Sequence, residues 1–480
     1  MSVFPKAGTK PAATVQDRVR KLNQAGERGS GRYVLYWAQM NRRAEANHAL
    51  AFAAELANRL DKPLLFYEGL TCSYPFASDR FHTFLLEGVP ETARRLKELG
   101  IGYVFYLRRR HSDPDDIFYR LAADAAAVVA DDYPTFVARQ YNASVPLKLD
   151  VAYYVVDSSC VVPMNRHPKR EYAAATLRPK IRRALPECLR PVGEIRLQRR
   201  WRHPPPPFHT AVRDSEIPEL VAACEIDHGV RPSTAFRGGR PAALERLEQF
   251  LQCHLRRYAE LRNEPSAHAT SRLSSYLHFG HISALEIALA ASGYARAHGF
   301  SAEAFLEELI VRRELAFNFV RHTEDYQSLE ALPEWARATL RRHAADARSP
   351  VYTLEVFERA GTHDVLWNAT QKELLLRGTI HGYYRMYWGK KIIEWSRSPE
   401  EALATMIYLH DRYALDGRDP NTYANILWCF GLHDRPFAER PVFGTVRYMS
   451  LEGMRRKTKV AAYVREIEEL ERTGEDPLRL

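Results

Sequence analysis

The sequence lacks any apolar run approaching the roughly 18 residues that a membrane-spanning helix needs, so no membrane partner is expected. Residues Met1 to Arg32 are polar and rich in Lys, Arg, Gly and Ala, without the apolar centre of a secretory signal. Cysteine is scarce: six in 480 residues, scattered, with no C-x-x-C pair. That sets aside a disulfide framework and a zinc site and leaves buried, reduced thiols in a cytoplasmic protein as the expectation. Neither G-x-G-x-x-G nor G-K-[ST] occurs, so the usual glycine-rich phosphate loops are excluded, and no repeat period suggests a solenoid.

What is present is a globular composition, 46% apolar and 27% charged, long enough for two or three domains. An excess of 69 Lys and Arg over 59 Asp and Glu gives a charge of +10. That balance suits an anionic partner such as nucleic acid without specifying one.

From residue 33 to about 160, short apolar runs alternate with amphipathic stretches. Tyr33–Ala38, Pro63–Leu70, Ile101–Leu107 and Ala126–Ala130 read as strands, and Glu45–Leu60, Asp79–Leu99 and Asp113–Ala125 as helices. Alternation of this kind predicts an α/β domain with a Rossmann-like parallel sheet. Between about 165 and 230 the pattern breaks into basic clusters and the prolines Pro204 to Pro207, the expected composition of a connector. Beyond 240 nearly every stretch has helical spacing, including Ala242–Leu261, Ala302–Arg321, Glu330–Asp346, Leu366–Arg377, Gly382–Ser396 and Pro399–Tyr413. The expected organisation is a flexible segment over 1–32, an α/β domain over 33–165, a connector over 166–234 and a large all-α domain over 235–480.

Three stretches of the helical half concentrate specialised residues. Thr270-Ser271-Arg272-Leu273-Ser274 precedes a short helix; such a run either caps the helix or holds phosphate, and the spacing leaves both open. His278 and His281 lie three apart with no third ligand nearby, so no metal is expected. In Phe305–Phe319, acids and bases alternate among apolar residues that leave little free face, which puts some of the charges at a cleft. From Trp367 to Tyr448 stand Trp367, Trp388, Trp395 and Trp428, four of the seven tryptophans. Trp388 and Trp395 share a helix face about 10 Å apart along the axis. They read as core packing or as a functional pair. Asp416-Gly-Arg-Asp419-Pro-Asn421 reads as a surface turn or as a source of ligand-pairing charges.

Arg272–Ser283, Phe305–Leu315, Thr362–Ala369, His381–Trp395, Leu415–Asn421 and Glu439–Met449 together resemble, in order, the FAD-binding domain of the photolyase/cryptochrome family, specifically its class II cyclobutane pyrimidine dimer photolyases. The resemblance implies FAD in the helical domain and double-stranded DNA containing a pyrimidine dimer as partner, with photoexcited reduced flavin lending the electron that opens the dimer. It implies that Tyr258, Thr270, Ser271, Arg272, Leu273, Ser274 and Asp419 bind the cofactor, and that Arg385 and Asp416 pair beside the flavin ring. Glu308 would hydrogen-bond the dimer and Trp428 stack on it. Trp388, Trp367 and Trp395 would carry electrons to the flavin from the surface. Arg447, Arg455, Arg456 and Lys457 are either phosphate contacts or a solvated basic face. An antenna chromophore, a deazaflavin or a folate, is a further expectation; the protein is expected to act as a monomer on nucleoid DNA.

The sequence departs from the family pattern in places. His410 stands where class II photolyases usually carry Asn against flavin N5, Phe317 where Asp is usual and Ser275 where Pro is usual; Trp37–Asn41 matches only in part. Ile426 takes the position of the inner tryptophan of class I enzymes, which is what indicates class II. The alternative function is a cryptochrome-like photoreceptor without repair; Glu308, Trp428 and the end of the sequence at Leu480, with no long tail, speak for repair.

Overall fold

The structure, a computed structural model, describes residues 15–479; residues 1–14 of the expected flexible segment lie outside the described residues. Six strands, β1 Val19–Lys21, β2 Tyr33–Trp37, β3 Leu64–Thr71, β4 Gly102–Arg108, β5 Ala125–Asp131 and β6 Tyr153–Val156, form one sheet in the order β1-β6-β5-β2-β3-β4. Strands β2 to β6 run parallel, with Leu35 of β2 level with Leu65 on one side and Val128 on the other. The edge strand β1 is antiparallel, Val19 opposite Val156. The parallel sheet is as expected, with this antiparallel edge strand added from within the 1–32 segment. The buried Arg18 guanidinium ties the chain before β1 to the Cys160 and Val161 carbonyls at 2.8 and 2.7 Å. Three residues, two of them charged, are too few to show a strand period.

β2 and β5 are buried along their whole length, as strands covered on both faces must be. Val34, Tyr36, Phe66 and Val129 pack on the helix His48–Arg59, whereas Leu35, Trp37, Leu65 and Val128 pack on Ile117, Phe118 and Leu121 across the sheet. The strand order reverses at β2, which has β3 and β5 as neighbours, and such a switch point opens a crevice at the carboxyl ends of the strands. A cavity of about 430 Å³ lies there, lined by Trp37, Gln39, Tyr67 and Tyr141 and closed from the helical half by His278, Phe279 and Arg418.

The expected helix Asp79–Leu99 is two, Asp79–Leu86 and Val89–Leu99, broken at Gly88 where the chain passes close to Gly239. Ala242–Leu261 likewise resolves into Arg240–Cys253 and Tyr258–Leu261, and Glu330–Asp346 contracts to Glu334–Arg342. The connector contains a helix, Ala174–Cys188, with Pro179 and Pro186 inside it, in a stretch whose basic clusters read as a connector. Leu177, Ile181 and Leu185, four residues apart, are buried in the same core as Leu306 and Ile310. Its basic residues are tied down: Arg178 to Glu307, Arg182 to Glu303, and further on Arg199 to Asp61.

The two halves meet along a buried polar seam. Arg80 donates to the carbonyls of Arg231, Leu374, Leu375 and Tyr413, satisfying the carboxyl end of the helix Val365–Arg377. Arg43 donates to Gly280 O at 3.1 Å and Ser158 O at 2.9 Å. Glu314 accepts from the Val161 and Val162 amides at 2.6 and 3.1 Å, and burial raises its carboxyl to about 8. Phe317 belongs to this seam too: it lies edge-on to Tyr133 at 5.5 Å and under the Arg313 guanidinium at 4.5 Å.

Gly280 fixes how closely the halves approach. Its φ is +72°, and a Cβ would lie 2.0 Å from the Met40 carbonyl oxygen across the seam. Gly280→Ala therefore combines a left-handed backbone penalty with overpacking against main chain, an expected loss of roughly 2–4 kcal/mol of stability. Denaturant unfolding measures it; a variant as stable as the parent would mean that the seam relaxes without cost.

Candidate functional site

Two contiguous cavities open in the helical half, of about 300 and 450 Å³, sharing Tyr258, Glu308, His381 and Arg385 as common wall. Every residue that the sequence assigns to the cofactor lines the smaller one: Tyr258, the run from Thr270 to Ser274, Arg385, Asp416 and Asp419. Glu308, Trp388 and Trp428 line the larger.

At one end of the smaller cavity Arg272 adopts φ of +52°, a strained conformation for a side-chain-bearing residue and a feature of ligand-holding loops. Its guanidinium bonds His268 Nδ1 at 2.6 Å and has no carboxylate within ion-pair distance among the described residues. Burial, with Arg246 and Arg377 nearby, pushes it down to about 10, so it remains a cation. A half-buried positive charge without an anion, beside the hydroxyls of Thr270, Ser271 and Ser274, fits a phosphate group. Ser275, where proline is usual, sits in the first turn of the helix Ser274–His278.

At the other end Arg385 pairs with Asp416 at 3.1 Å. Burial, the largest single influence, would raise the Asp416 carboxyl, but the Arg385 charge together with hydrogen bonds from Arg385 and Ser274 holds the group below its ordinary value. The Arg385 Nε and both His410 ring nitrogens are buried without hydrogen-bond partners among the described residues. Burial, then Arg385, holds the His410 imidazole down at about 3. His410 lies edge-on to Trp388 at 5.9 Å, behind the cavity wall. A cationic phosphate end and a second end with orphaned polar atoms fit an extended anionic cofactor. Among the described residues no cluster of three His, Cys, Asp or Glu side chains could hold a metal ion.

Asp419 is more occupied than the sequence suggests. Its Oδ1 accepts from the Asn421 amide at 2.9 Å, starting the helix Pro420–Cys429, and its Oδ2 accepts from the Tyr133 hydroxyl at 2.6 Å across the seam. That helix carries Trp428 to the larger cavity. Two cations, Lys390 and Arg447, lie over the Trp428 ring at 5.4 Å each. Arg447 is further committed to Asp434 at 2.9 Å, so it supports Trp428 before it meets any phosphate. Arg455, Arg456 and Lys457 are exposed on the helix Leu451–Lys457 and have no ion-pair partner among the described residues.

Glu308 lies in a π-helical turn, Glu307–Arg312, set in the run from Glu303 to Arg321. Such wide turns cluster at functional sites because they redirect side chains. Glu308 is 39% exposed. Its Oε1 accepts from Arg262 at 2.6 Å, while its Oε2 has no partner among the described residues. Arg262, which lies in the same specialised stretch as Tyr258 in the sequence, gains its role only here, as the partner of Glu308.

Trp388 and Trp367 stack, their ring planes 5° apart and centroids 6.4 Å apart, and Trp395 lies 6.2 Å beyond Trp367. The Trp388 Nε1 donates to Gln371 and the Trp367 Nε1 to the Trp388 carbonyl, which fixes both rings. From Trp388 at the cavity the order runs through Trp367 to Trp395, which is 3% exposed. Half-buried Tyr352 covers it at 5.7 Å.

Residues 34–200 match the family described as DNA photolyase. A deoxyribodipyrimidine photo-lyase of Methanothermobacter thermautotrophicus is 42% identical over 451 residues, covering 93% of this chain and 97% of that one. Proteins of the same name from Oryza sativa and Potorous tridactylus are 38% and 34% identical, covering 94% of this chain and 90% and 84% of theirs. Among solved structures, a class III photolyase from Agrobacterium tumefaciens superposes with a TM-score of 0.67 at 19% identity, covering 92% of this chain and 87% of that one. A Synechocystis cryptochrome does so at 0.65 and 15%, covering 93% and 91%; these two share the fold.

The state of His410 yields a pH prediction. An unfolded histidine takes up a proton near 6.5, whereas His410 in the fold resists it down to about 3. Below 6.5 the unfolded state binds the proton first, so this residue's part of the stability is lost as pH falls. At about pH 5 the loss is about 2 kcal/mol, and His410→Asn should remove it. Unfolding curves at about pH 7.5 and about pH 5 measure the difference; equal losses in parent and variant would place a charged or solvated histidine there.

Proposed function

The chain belongs to the DNA photolyase family, and from that premise we propose that it uses blue light to split cyclobutane pyrimidine dimers in DNA, as a class II photolyase, with FAD in the smaller cavity. One observation carries the reading: a cation-lined cofactor cavity opens directly into a second cavity that holds a half-exposed carboxylate, an aromatic wall and one end of a stacked tryptophan pair.

Bound and reduced, FAD supplies the electron that light promotes. The chain's own residues do the rest. Arg272 and the hydroxyls of Thr270, Ser271 and Ser274 hold the pyrophosphate. Arg385 sets a positive charge beside the ring system, and its pairing with Asp416 keeps the guanidinium from swinging away. The free Oε2 of Glu308 bonds the flipped bases, and Trp428 gives them an apolar surface on which to stack. Trp388, Trp367 and Trp395 form the route by which electrons reach the cofactor from outside. The cavity at the carboxyl ends of the strands, closed by both domains, is the place for a deazaflavin or folate antenna. Arg455, Arg456 and Lys457 meet the phosphates of the flanking duplex. The protein acts as a monomer on nucleoid DNA in the cytoplasm; no helix of the described residues is long and apolar enough to cross a membrane.

A light-sensing protein without repair is the second reading. His410, neutral and without partners beside Arg385, is the residue that favours it, since it alters the surroundings of the flavin ring.

Two measurements separate the halves of this reading. Chemically reduced protein mixed with dimer-containing oligonucleotide under blue light should restore thymine ultraviolet absorbance; no recovery with FAD bound and reduced sinks the repair claim. Trp388→Phe should leave that repair intact yet abolish photoreduction of the oxidised protein. Undiminished photoreduction in the variant would mean that electrons enter elsewhere.

A further inference from the structure

Three arginines line the larger cavity: Arg262, Arg312 and Arg385. Two are spoken for, Arg262 by Glu308 at 2.6 Å and Arg385 by Asp416 at 3.1 Å. Arg312 differs. Its one acidic neighbour is Glu307, at 3.7 Å, beyond hydrogen-bonding reach. Glu307 is already held by Arg178 through bonds of 2.7 and 3.0 Å from two guanidinium nitrogens, one to each carboxylate oxygen. His433, on the same cavity wall, is kept neutral by burial, at about 4, and adds no second charge there. Among the described residues Arg312 is thus the least committed cation of this cavity, and at 50% side-chain exposure it stands at the mouth rather than the floor.

The π-helical turn explains its position. Glu308 and Arg312 are four residues apart within the turn Glu307–Arg312, and both line the cavity. The carboxylate that would bond the bases and the guanidinium at the mouth are therefore carried on one rigid element, one helical turn apart.

We propose that Arg312 grips the phosphodiester that joins the two nucleotides of the flipped dimer, as a positioning residue for the substrate. This rests on the repair reading. Bases that stack on Trp428 and bond Glu308 have their sugar–phosphate link directed to the mouth. There a planar guanidinium with free donors matches two phosphate oxygens. Because the link is present only when both pyrimidines are adjacent in one strand, the contact selects an intrastrand dinucleotide rather than a single flipped base.

The test compares two oligonucleotides: one with a natural thymine dimer and one whose dimer carries a neutral formacetal link in place of the internal phosphodiester. Dark binding to FAD-loaded parent, Arg312→Gln and Arg312→Lys is measured over a salt series. Arg312→Gln should weaken binding of the natural dimer roughly tenfold to a hundredfold and reduce the salt slope by about one. Arg312→Lys should recover part of the affinity. On the neutral-linked dimer, parent and Arg312→Gln should bind alike. An equal loss on both oligonucleotides, or no loss on the natural one, overturns the assignment. Flavin absorbance of the variant reports that the fold is intact. If the parent fails to bind the natural dimer, the repair reading itself fails, an outcome distinct from either of those.

Discussion

A single carboxylate, that of Asp419, joins the three parts on which the site depends. One oxygen accepts the Tyr133 hydroxyl from the sheet domain; the other starts the helix that carries Asn421, Asn425 and Trp428 along both cavities. Deleting the carboxylate would leave the buried Tyr133 hydroxyl only His278 Nδ1 at 3.3 Å and orphan the Asn421 amide, the latter alone costing about 1–3 kcal/mol. Position at the substrate wall is thereby set from the domain seam rather than locally. The Gly280 approach and the bonds of Arg80 and Arg43 make that seam a fixed surface instead of a hinge. The same contact borders the sheet-domain cavity through Tyr133 and Arg418, so the two cavity systems share one rigid boundary.

Charge is arranged by contrast. Most buried cations are paired or bonded to carbonyls: Arg377 meets Glu373, Glu466 and Asp476, and Arg80 meets four main-chain oxygens. Arg272, half-buried, meets only a histidine. A fold that compensates charge so thoroughly elsewhere keeps an uncompensated cation where an anion is to arrive; without that anion the burial is a net cost. On the proposed reading, FAD binding would add to stability as well as to chemistry.

How much of this was legible in the sequence depends on how local each signal is. The parallel strands from β2 to β5 were read within a residue or two because burial on both faces makes them continuous apolar runs. The strand β1 was not, since three residues with two charges carry no period. The helix Ala174–Cys188 had its i, i+4 apolar stripe in plain view, but the basic clusters around it made the stretch read as a connector. The cofactor residues came from motif resemblance, and all of them line one cavity. What could not be read was pairing between distant elements. Nothing local says that Arg262 takes Glu308, that Arg178 takes Glu307 and so frees Arg312, or that Trp367 slides under Trp388. The seven-residue interval between Trp388 and Trp395 fixed a common helix face; the ring that bridges them belongs to another helix.

The tryptophans show why identical side chains serve different ends. Removing an electron from an indole leaves a positive charge on it, and a cation over the ring makes that removal harder. Trp428 has two such cations, Lys390 with no acidic partner among the described residues and Arg447 balanced by Asp434. Trp388 and Trp367 have none among the described residues; they face each other and donate their N–H groups to neutral acceptors. Trp395 has Lys391 over it at 5.6 Å, but Glu394 lies 2.6 Å from that ammonium and offsets its charge. The electrostatic cost of oxidation is therefore greatest at the ring on the substrate wall and smaller along the stacked pair. On the proposed reading, electron supply and substrate packing would use the same residue type at one cavity, and the placement of lysines and arginines would keep the two apart.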